Sequence, residues 1–595
     1  MAAEAAARIL SVTLPVKILR QTTAPLPFPL PENLHPVVAR VYAARKIKRV
    51  EELQYGLEQL QPPSALRGMQ QAVQLLSDAL QKQQRILFVA DFDADGATSC
   101  ALGVRALRLM GAQDVRYVVP NRFEFGYGLT PEIVNVAAQQ QPDLIITVDN
   151  GISSMEGVAR AKQLGIQVLI TDHHLHGALL PAADAIVNPN QPGDEFPSKH
   201  LAGVGVIFYV MLALRTQLRA NGWFSAAPGV LPPAALVLPC TSQKNIPEPN
   251  LAQLLDLVAL GTVADVVVLD HNNRVLVAQG LARIREGRCQ AGLRALIEVS
   301  QRQQNRLTAG DLAFALAPRL NAAGRLEDMS LGIECLLCDD YGQALTMAQR
   351  LDELNRERRS IESEMQIQAL DVLKTMRLDN NDALPYGLCL FDPDWHQGVI
   401  GILAGRIKER THRPVIAFAL SNEHEIKGSA RSVEGLHIRD ALDSVAAQHP
   451  GLLTKFGGHA MAAGLTLRRA DYDAFCAAFD REVRKHLTET ELQRVMSSDG
   501  DLSADELQLE LAEALRGAGP WGQGFPEPLF DGIFEVVSQR IVGDKHLKLV
   551  LRYPDDSRIF DAIAFNASPL TPYASRLHIA YRLDVNEYRG QRSLQ

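Results

Sequence analysis

The segment ILFVADFDADG (residues 86–96) is a run of five apolar residues followed at once by Asp91, Asp93 and Asp95 and closed by a glycine. A short apolar run bounded by turn formers reads as a buried strand, which puts the three acids at its carboxyl end. Outward from it, VRYVV (115–119), LIITV (144–148) and QVLI (167–170) repeat the pattern. Helix-like stretches such as LGVRALRLMG, PEIVNVAAQQ and SSMEGVARAKQLG lie between them. Strand–helix alternation at this spacing predicts a parallel, doubly wound sheet. No glycine-rich dinucleotide fingerprint follows the first strand; the aspartates stand in its place.

The polar residues at the other strand ends carry the chemistry. Asp149 ends the third strand in VDNG, and Asp172, His173 and His174 end the fourth in TDHH. Ligands of an open parallel sheet bind outside the carboxyl ends of its strands, so these groups should converge. Carboxylates packed together repel one another, and burying each unpaired costs several kcal/mol. The nearby sequence holds no Lys or Arg cluster to offset this, whereas Asp and His are ligands for divalent metals. An oxygen-rich set with one or two imidazoles favours Mn²⁺ or Mg²⁺ over zinc. A carboxylate shared by two ions about 3.5–4 Å apart is the arrangement used for phosphoryl hydrolysis. One Asp at a strand end is more often a helix cap or turn former. Three such ends in one sheet outweigh that reading.

The chain has 595 residues, 47% apolar and 22% charged, which excludes a disordered, collagen-like or coiled-coil protein. No apolar run reaches the roughly 18–20 residues of a membrane span. A net charge of -8 excludes a generally basic nucleic-acid coat, so a polyanion must meet a local basic track, helix N-termini or bound metal. The 7 cysteines are scattered, unlike a disulfide scaffold, and the Cys335/Cys338 pair in LGIECLLC reads as core helix. The opening MAAEAAARIL lacks the features of a secretory signal, so the cytoplasm is the expected location.

The first 80 residues combine TAPLPFPLP with helical patterns, and the run Arg45, Lys46, Lys48, Arg49 reads as a solvated face. Over 342–378, Leu351, Leu354, Ile361, Met365, Val372 and Met376 recur at helical spacing, predicting one helix about 50 Å long that bridges two domains. GLCLF, GVIGILAGRIKER and PVIAFAL then form a second α/β pattern, followed by a loop with GSARS. Beyond about 525 the sequence reads as successive strands of a small antiparallel barrel or sheet. Phe530, Phe534, Phe560 and Phe565 alternate there like core residues, so no stacking residue is named. The glycines of FGGHAMAAG (456–464) suit close backbone approach to a ligand, with N–H groups beside Gly457 and Gly458, and His459, as phosphate donors.

DFDADGATS, VDNG and TDHH resemble the first three motifs of the DHH phosphoesterase superfamily, and LVALGTVADVV (257–267) is similar to its fourth, adding Asp265. FGGHAMAAG resembles the signature of the DHHA1-type accessory domain. The length, PRLNAAGR (318–325), WHQGVIGI (395–402) and the terminal β-segment resemble the bacterial single-strand-specific 5′→3′ exonucleases of that superfamily, over about residue 25 to the end. The resemblance implies an α/β architecture: an N-terminal helical extension (1–80), a DHH catalytic domain with a parallel sheet (81–335), the connecting helix (336–380), a second α/β DHHA1-type domain (381–490) and an OB-fold β-barrel (491–595).

It further implies Asp93, Asp95, Asp149, His173 and Asp265 as ligands of two Mn²⁺ or Mg²⁺ ions, with Asp149 bridging. His174 would lie at the scissile phosphate, with Asp91 and Asp172 orienting the ligands. Ser429, Arg431 and Arg122 (in NRFEFGYG) would bind a terminal phosphate, and Arg319, Asn321 and Arg325, in a loop, would contact DNA. One departure is Val89, where the family II pyrophosphatases carry a metal-binding His, so one ion is held by fewer protein donors. The activity implied is metal-dependent release of 5′-mononucleotides from the 5′ end of single-stranded DNA, in repair and recombination. A helicase and a single-strand-binding protein are the partners this suggests, with a monomeric chain and no membrane. The alternatives are a DHH phosphodiesterase acting on short oligonucleotides or cyclic dinucleotides, and a non-catalytic DNA-binding relative.

Overall fold

The structure, a computed structural model, describes residues 16–595 apart from 23, 30, 33, 122–127, 226–245, 380–383, 544–545, 566, 568–574 and 589–590. Its first sheet contains β1 (Ile86–Ala90), β2 (Val115–Val118), β3 (Leu144–Val148), β4 (Gln167–Thr171) and β5 (Ala185–Val187), in the order β2-β1-β3-β4-β5 with every pair parallel. β1 and β3 are buried at every position, because helices cover both faces. The order reverses beside β1, so the chain after β1 and the chain after β3 open into one crevice.

Four helices need labels. α1 (Ala94–Leu109) follows β1, α2 (Leu255–Ala264) packs against it, α3 (Ala317–Leu326) packs on both, and α4 is the long helix Tyr341–Asp379. Its 39 residues span about 58 Å. Ala344, Ala348, Leu351 and Leu354 of α4 lie in the core of the first domain, whereas Met365, Ala369, Leu370 and Leu373 lie in the core around Trp395, Leu403 and Ile407. One helix therefore belongs to two cores, which fixes the domains against each other.

The second domain has β6 (Leu388–Phe391), β7 (Val415–Leu420), β8 (Glu425–Arg431), β9 (Lys455–Gly458) and β10 (Ala462–Arg468), ordered β9-β10-β8-β7-β6; only the β6–β7 pair is parallel. GSARS is thus the end of a strand and not a loop. A Cβ on Gly428 would meet the Phe418 ring at 2.5 Å, so the small residues of that strand serve packing.

The C-terminal sheet is antiparallel, with β11 (Phe530–Val542), β12 (His546–Arg552), β13 (Ile559–Ala564) and β14 (Arg576–Tyr581) in the order β13-β12-β11-β14. Phe530 and Phe534 are buried as expected, but Phe565 lies one residue beyond β13 and is 69% exposed. The N-terminal extension is not wholly helical: Val16–Arg20 pairs in parallel with Arg494–Ser498. Arg45 also departs from the solvated reading, since its guanidinium is buried against Asp499 at 2.6 Å. Cys335 is buried within the helix Ser330–Leu337. No helix among the described residues is long and apolar enough to cross a membrane.

Candidate metal centre and phosphate face

The acids and histidines of the strand ends meet in one buried site. Asp93 caps α1, its Oδ1 accepting from the N–H groups of Asp95 (2.9 Å) and Gly96 (3.0 Å). A Cβ on Gly96 would lie 2.4 Å from the Asp91 carbonyl oxygen, so the turn closes only with glycine there. Asp149 follows β3 in the left-handed conformation, φ 62°, which turns it into the crevice. His173 Nε2 stands 3.1 Å from Asp149 Oδ1 and 3.4 Å from Asp265 Oδ2. Potential ligand atoms of Asp91, Asp93 and Asp149 lie within 4.8 Å of one another, as do those of Asp95, His173 and Asp265, and those of Asp149, His173 and His174. Asp149 and His173 each belong to two of these groups.

Hydrogen bonds show how the chain itself holds several of these groups. Asp172 accepts from the N–H groups of Ile152, His173 and His174 and bonds His174 Nδ1 at 2.7 Å. Burial would raise this carboxyl, yet the bond to His174 and the two imidazoles hold it at about 2. Burial likewise opposes charge on His174, but Asp172 raises it to about 9. Asp95 accepts from Gly203 N at 2.6 Å and Val204 N at 2.9 Å, the start of the helix Gly203–Ala220. Even so, burial and then the nearby Asp265 push it up to about 7; burial and then Asp93 do the same to Asp265. Burial, then Asp95 and Asp93, push Asp149 well above the carboxylate range.

These shifts describe a site short of positive charge. Nε2 of His173 is buried and makes no hydrogen bond among the described residues, although it faces two carboxylates. An imidazole nitrogen and carboxylate oxygens directed at one another are the donor set of a hard divalent ion, so the residues fit such a group.

The second domain closes on this site. His459, in the turn between β9 and β10, stacks on His174 with ring centroids 5.6 Å apart. On the adjoining face, Arg325, Gln397, Lys427, Ser429 and Arg431 line a cavity of about 260 Å³, with Arg431 donating to Ser429 Oγ at 3.1 Å. Gly457, Gly464 and Ser429 form one cross-strand row, and a Cβ on Gly457 or Gly464 would meet nothing within 4 Å, so bare backbone faces outward there. On the other side of Asp265 a cleft of about 980 Å³ runs toward the C-terminal domain, lined by Val266, Arg302, Phe314, Trp521 and Arg582.

Two expectations need correction, and one falls outside the description. Arg319, Asn321 and Arg325 are on α3 and not in a loop. Arg319 is 8% exposed and paired with Asp352 of α4 at 2.7 Å, so it ties two helices together. Asn321 accepts from Ala94 N at 2.8 Å and braces the aspartate loop. Arg122 lies outside the described residues. Asn188 and Asn190 were missed: their amides donate to the carbonyls of His174 (3.0 Å) and His173 (2.6 Å). Their position after β5, on the same sheet rim, was the signal. Lys427, facing the cavity beside Ser429, was missed too.

Three family models match in order: "DHH family, N-terminal domain" over 85–262, "DHHA1 domain" over 384–485 and "RecJ OB domain" over 498–595. The chain is 53% identical over 569 residues to the single-stranded-DNA-specific exonuclease RecJ of Dickeya dadantii, covering 95% of this chain and 96% of that one. To the same-named protein of Escherichia coli it is 52% identical, with the same coverage. The crystal structure of RecJ in complex with Mn²⁺ from Thermus thermophilus superposes with a TM-score of 0.77 at 29% identity, covering 97% of this chain and 78% of that one.

Proposed function

The chain belongs to the RecJ family of single-stranded-DNA-specific exonucleases, and on that footing we propose that it removes 5′-mononucleotides from the 5′ end of single-stranded DNA by metal-dependent hydrolysis. The observation that carries the reading is the stack of His459 on His174, which sets a basic phosphate face against an acid-and-imidazole centre.

Asp93, Asp149, His173 and Asp265, with Asp95, would hold two divalent ions, Mn²⁺ or Mg²⁺; the Thermus relative was crystallised in complex with Mn²⁺. Bound there, the ions would supply an activated water and neutralise charge on the scissile phosphate. The chain's own residues do the rest. Asp172 fixes the orientation of His174 and keeps it protonated, so the ring presents positive charge to the phosphate. Arg431, Ser429, Lys427 and Arg325 receive the terminal 5′-phosphate, the arginine forks giving bidentate contacts. The backbone of Gly457 and Gly458 and the ring of His459 close over it. Anchoring that end sets the 5′→3′ polarity.

The remaining strand leaves along the cleft past Val266 and Phe314 toward the C-terminal domain, where the 80%-exposed Phe314 ring offers a stacking surface. In this reading 81–335 is the catalytic domain, 336–380 the connector, 381–490 the phosphate-gripping domain and 491–595 the strand-holding domain, with 1–80 bracing them. The enzyme works as a cytoplasmic monomer in repair and recombination, beside a helicase that exposes the strand and a single-strand-binding protein that keeps it open.

The test compares Mn²⁺-dependent release from 5′-phosphorylated single strands, duplexes and dinucleotides. Release confined to single strands is expected. Activity confined to dinucleotides would point to the oligonucleotide phosphodiesterases, and no release in Mn²⁺ to a binding protein.

A further inference from the structure

Asp265 caps α2 at its carboxyl end, and the next residue, Val266, adopts φ 60°. That left-handed position ends many helices and is ordinarily a glycine; an L-residue there costs about 1–2 kcal/mol. Val266 is 62% exposed, so core packing does not offset the cost. The conformation must be imposed by what holds the chain on the far side of it.

What holds it lies about 250 residues away in sequence, in the turn GPWGQGF (519–525) that leads into the C-terminal domain. Leu269 N donates to Gln523 O at 2.7 Å. A Cβ on Gly522 would come 2.6 Å from Leu269 Cδ1, and one on Gly524 2.5 Å from Val268 Cγ1, so the two glycines let the turn lie directly on residues 268 and 269. The turn is itself braced. Gly522 and Phe525 exchange both backbone hydrogen bonds, the Trp521 and Phe525 rings stack at 5.1 Å, and Trp521 Nε1 donates to Leu515 O at 2.9 Å. Arg274 lies over the buried Phe525 ring at 4.2 Å and donates to the Leu269 carbonyl at 3.0 Å, while Asn273 donates to the Val268 carbonyl at 2.9 Å. Both backbone groups of Leu269 are therefore taken up, four residues from Asp265.

We infer that the Gly519–Phe525 turn is a positioning element for Asp265. Acting through Val266–Leu269, it holds the carboxylate against His173, and so makes the C-terminal domain part of the metal centre as well as a grip on the strand. This rests on the reading of Asp265 as a metal ligand. Its predicted signature is a loss of cation affinity that is present without any DNA.

The experiment measures Mn²⁺ binding to the full, metal-free chain by calorimetry in the absence of DNA. Gly522→Ala adds one methyl against Leu269 and needs no unusual backbone angle; it should bind Mn²⁺ about tenfold more weakly, the scale on which residues that orient ligands act. Gly522→Ala/Leu269→Val removes the opposing Cδ1 and should restore affinity. Gly517→Ala, whose Cβ enters open space, should match the parent. If Gly522→Ala does not fold, Phe525→Leu, which removes the ring that braces the turn against Trp521 and Arg274 without adding an atom, should weaken Mn²⁺ binding instead. Parent-like Mn²⁺ affinity in the folded variant would overturn the inference. Parent-like affinity in Asp265→Asn would overturn the ligand assignment instead.

Discussion

His459 of the second domain and His174 of the first stack with ring centroids 5.6 Å apart and planes inclined by 27°. Two imidazoles at this distance avoid like-charge repulsion only if one is neutral. The environments separate them: Asp172 raises His174 to about 9, whereas burial and the neighbouring His174 lower His459. The shifts run in opposite directions across the domain boundary, His174 toward the charged form beside the acids and His459 toward the neutral form on the phosphate face.

Arg431 donates to Ser429 and faces the same cavity as Lys427 and Arg325. A charge-assisted contact to phosphate contributes about 1.5–3 kcal/mol, so Arg431→Ala should raise the Michaelis constant for 5′-phosphorylated strands roughly 10- to 100-fold. Turnover at saturation should change little. Steady-state kinetics with phosphorylated and unphosphorylated strands check it; an unchanged Michaelis constant contradicts the pocket.

Asp95 and Asp265 are each pushed to about 7, chiefly by burial, against about 3.9 in an unfolded chain. Between those values these two groups hold more protons in the folded, metal-free protein than in the unfolded chain, so their contribution to stability falls as pH rises from about 4 to about 7 and then levels. Divalent ions need both groups ionised, so Mn²⁺ should raise the melting temperature more at pH about 8 than at about 6. Thermal denaturation with and without Mn²⁺ measures this, and a pH-independent shift contradicts it.

Arg319 and Asp352 form a buried pair between α3 and α4. Leaving one partner uncompensated costs about 3–5 kcal/mol, whereas replacing both with apolar residues is close to neutral. Asp352 also pairs with Arg356, so Arg319→Met should lower stability by less than that amount and Arg319→Met/Asp352→Leu should recover it, with strand affinity unchanged in both. Denaturant titration and anisotropy check the pair; selective loss of DNA binding would return Arg319 to the interface.

Phe314 is 80% exposed on the cleft wall, so Phe314→Ala should leave stability within about 0.5 kcal/mol. Loss of one stacked base weakens binding by about 1–3 kcal/mol, and only for strands long enough to reach the cleft. Length-dependent anisotropy titrations decide it, and equal affinities for parent and variant would remove Phe314 from the strand's path.

The sheet and the acid site were legible because burial and chemistry coincide at β1, β3 and β4: continuous apolar runs gave the strands, and the residues just after them gave the rim. The same logic applied to VNPN after β5 would have found Asn188 and Asn190. Arg319 and Asn321 were misread because their partners, Asp352 and the Ala94 N–H, come from distant segments that no local pattern reveals. GSARS looked like a loop because a strand that packs a glycine on Phe418 lacks the usual β-branched residues. Phe565 kept the alternation of β13 but fell beyond the last paired residue, Ala564.

The central claim is that distant acids and an imidazole form one cation-binding centre. Crystals soaked in Mn²⁺ and measured at its absorption edge test it most directly. Two anomalous peaks about 3.5–4 Å apart, touching Asp93, Asp149, His173 and Asp265, are the predicted result. Well-ordered Mn²⁺ bound elsewhere, with these four side chains free of density for an ion, would contradict it.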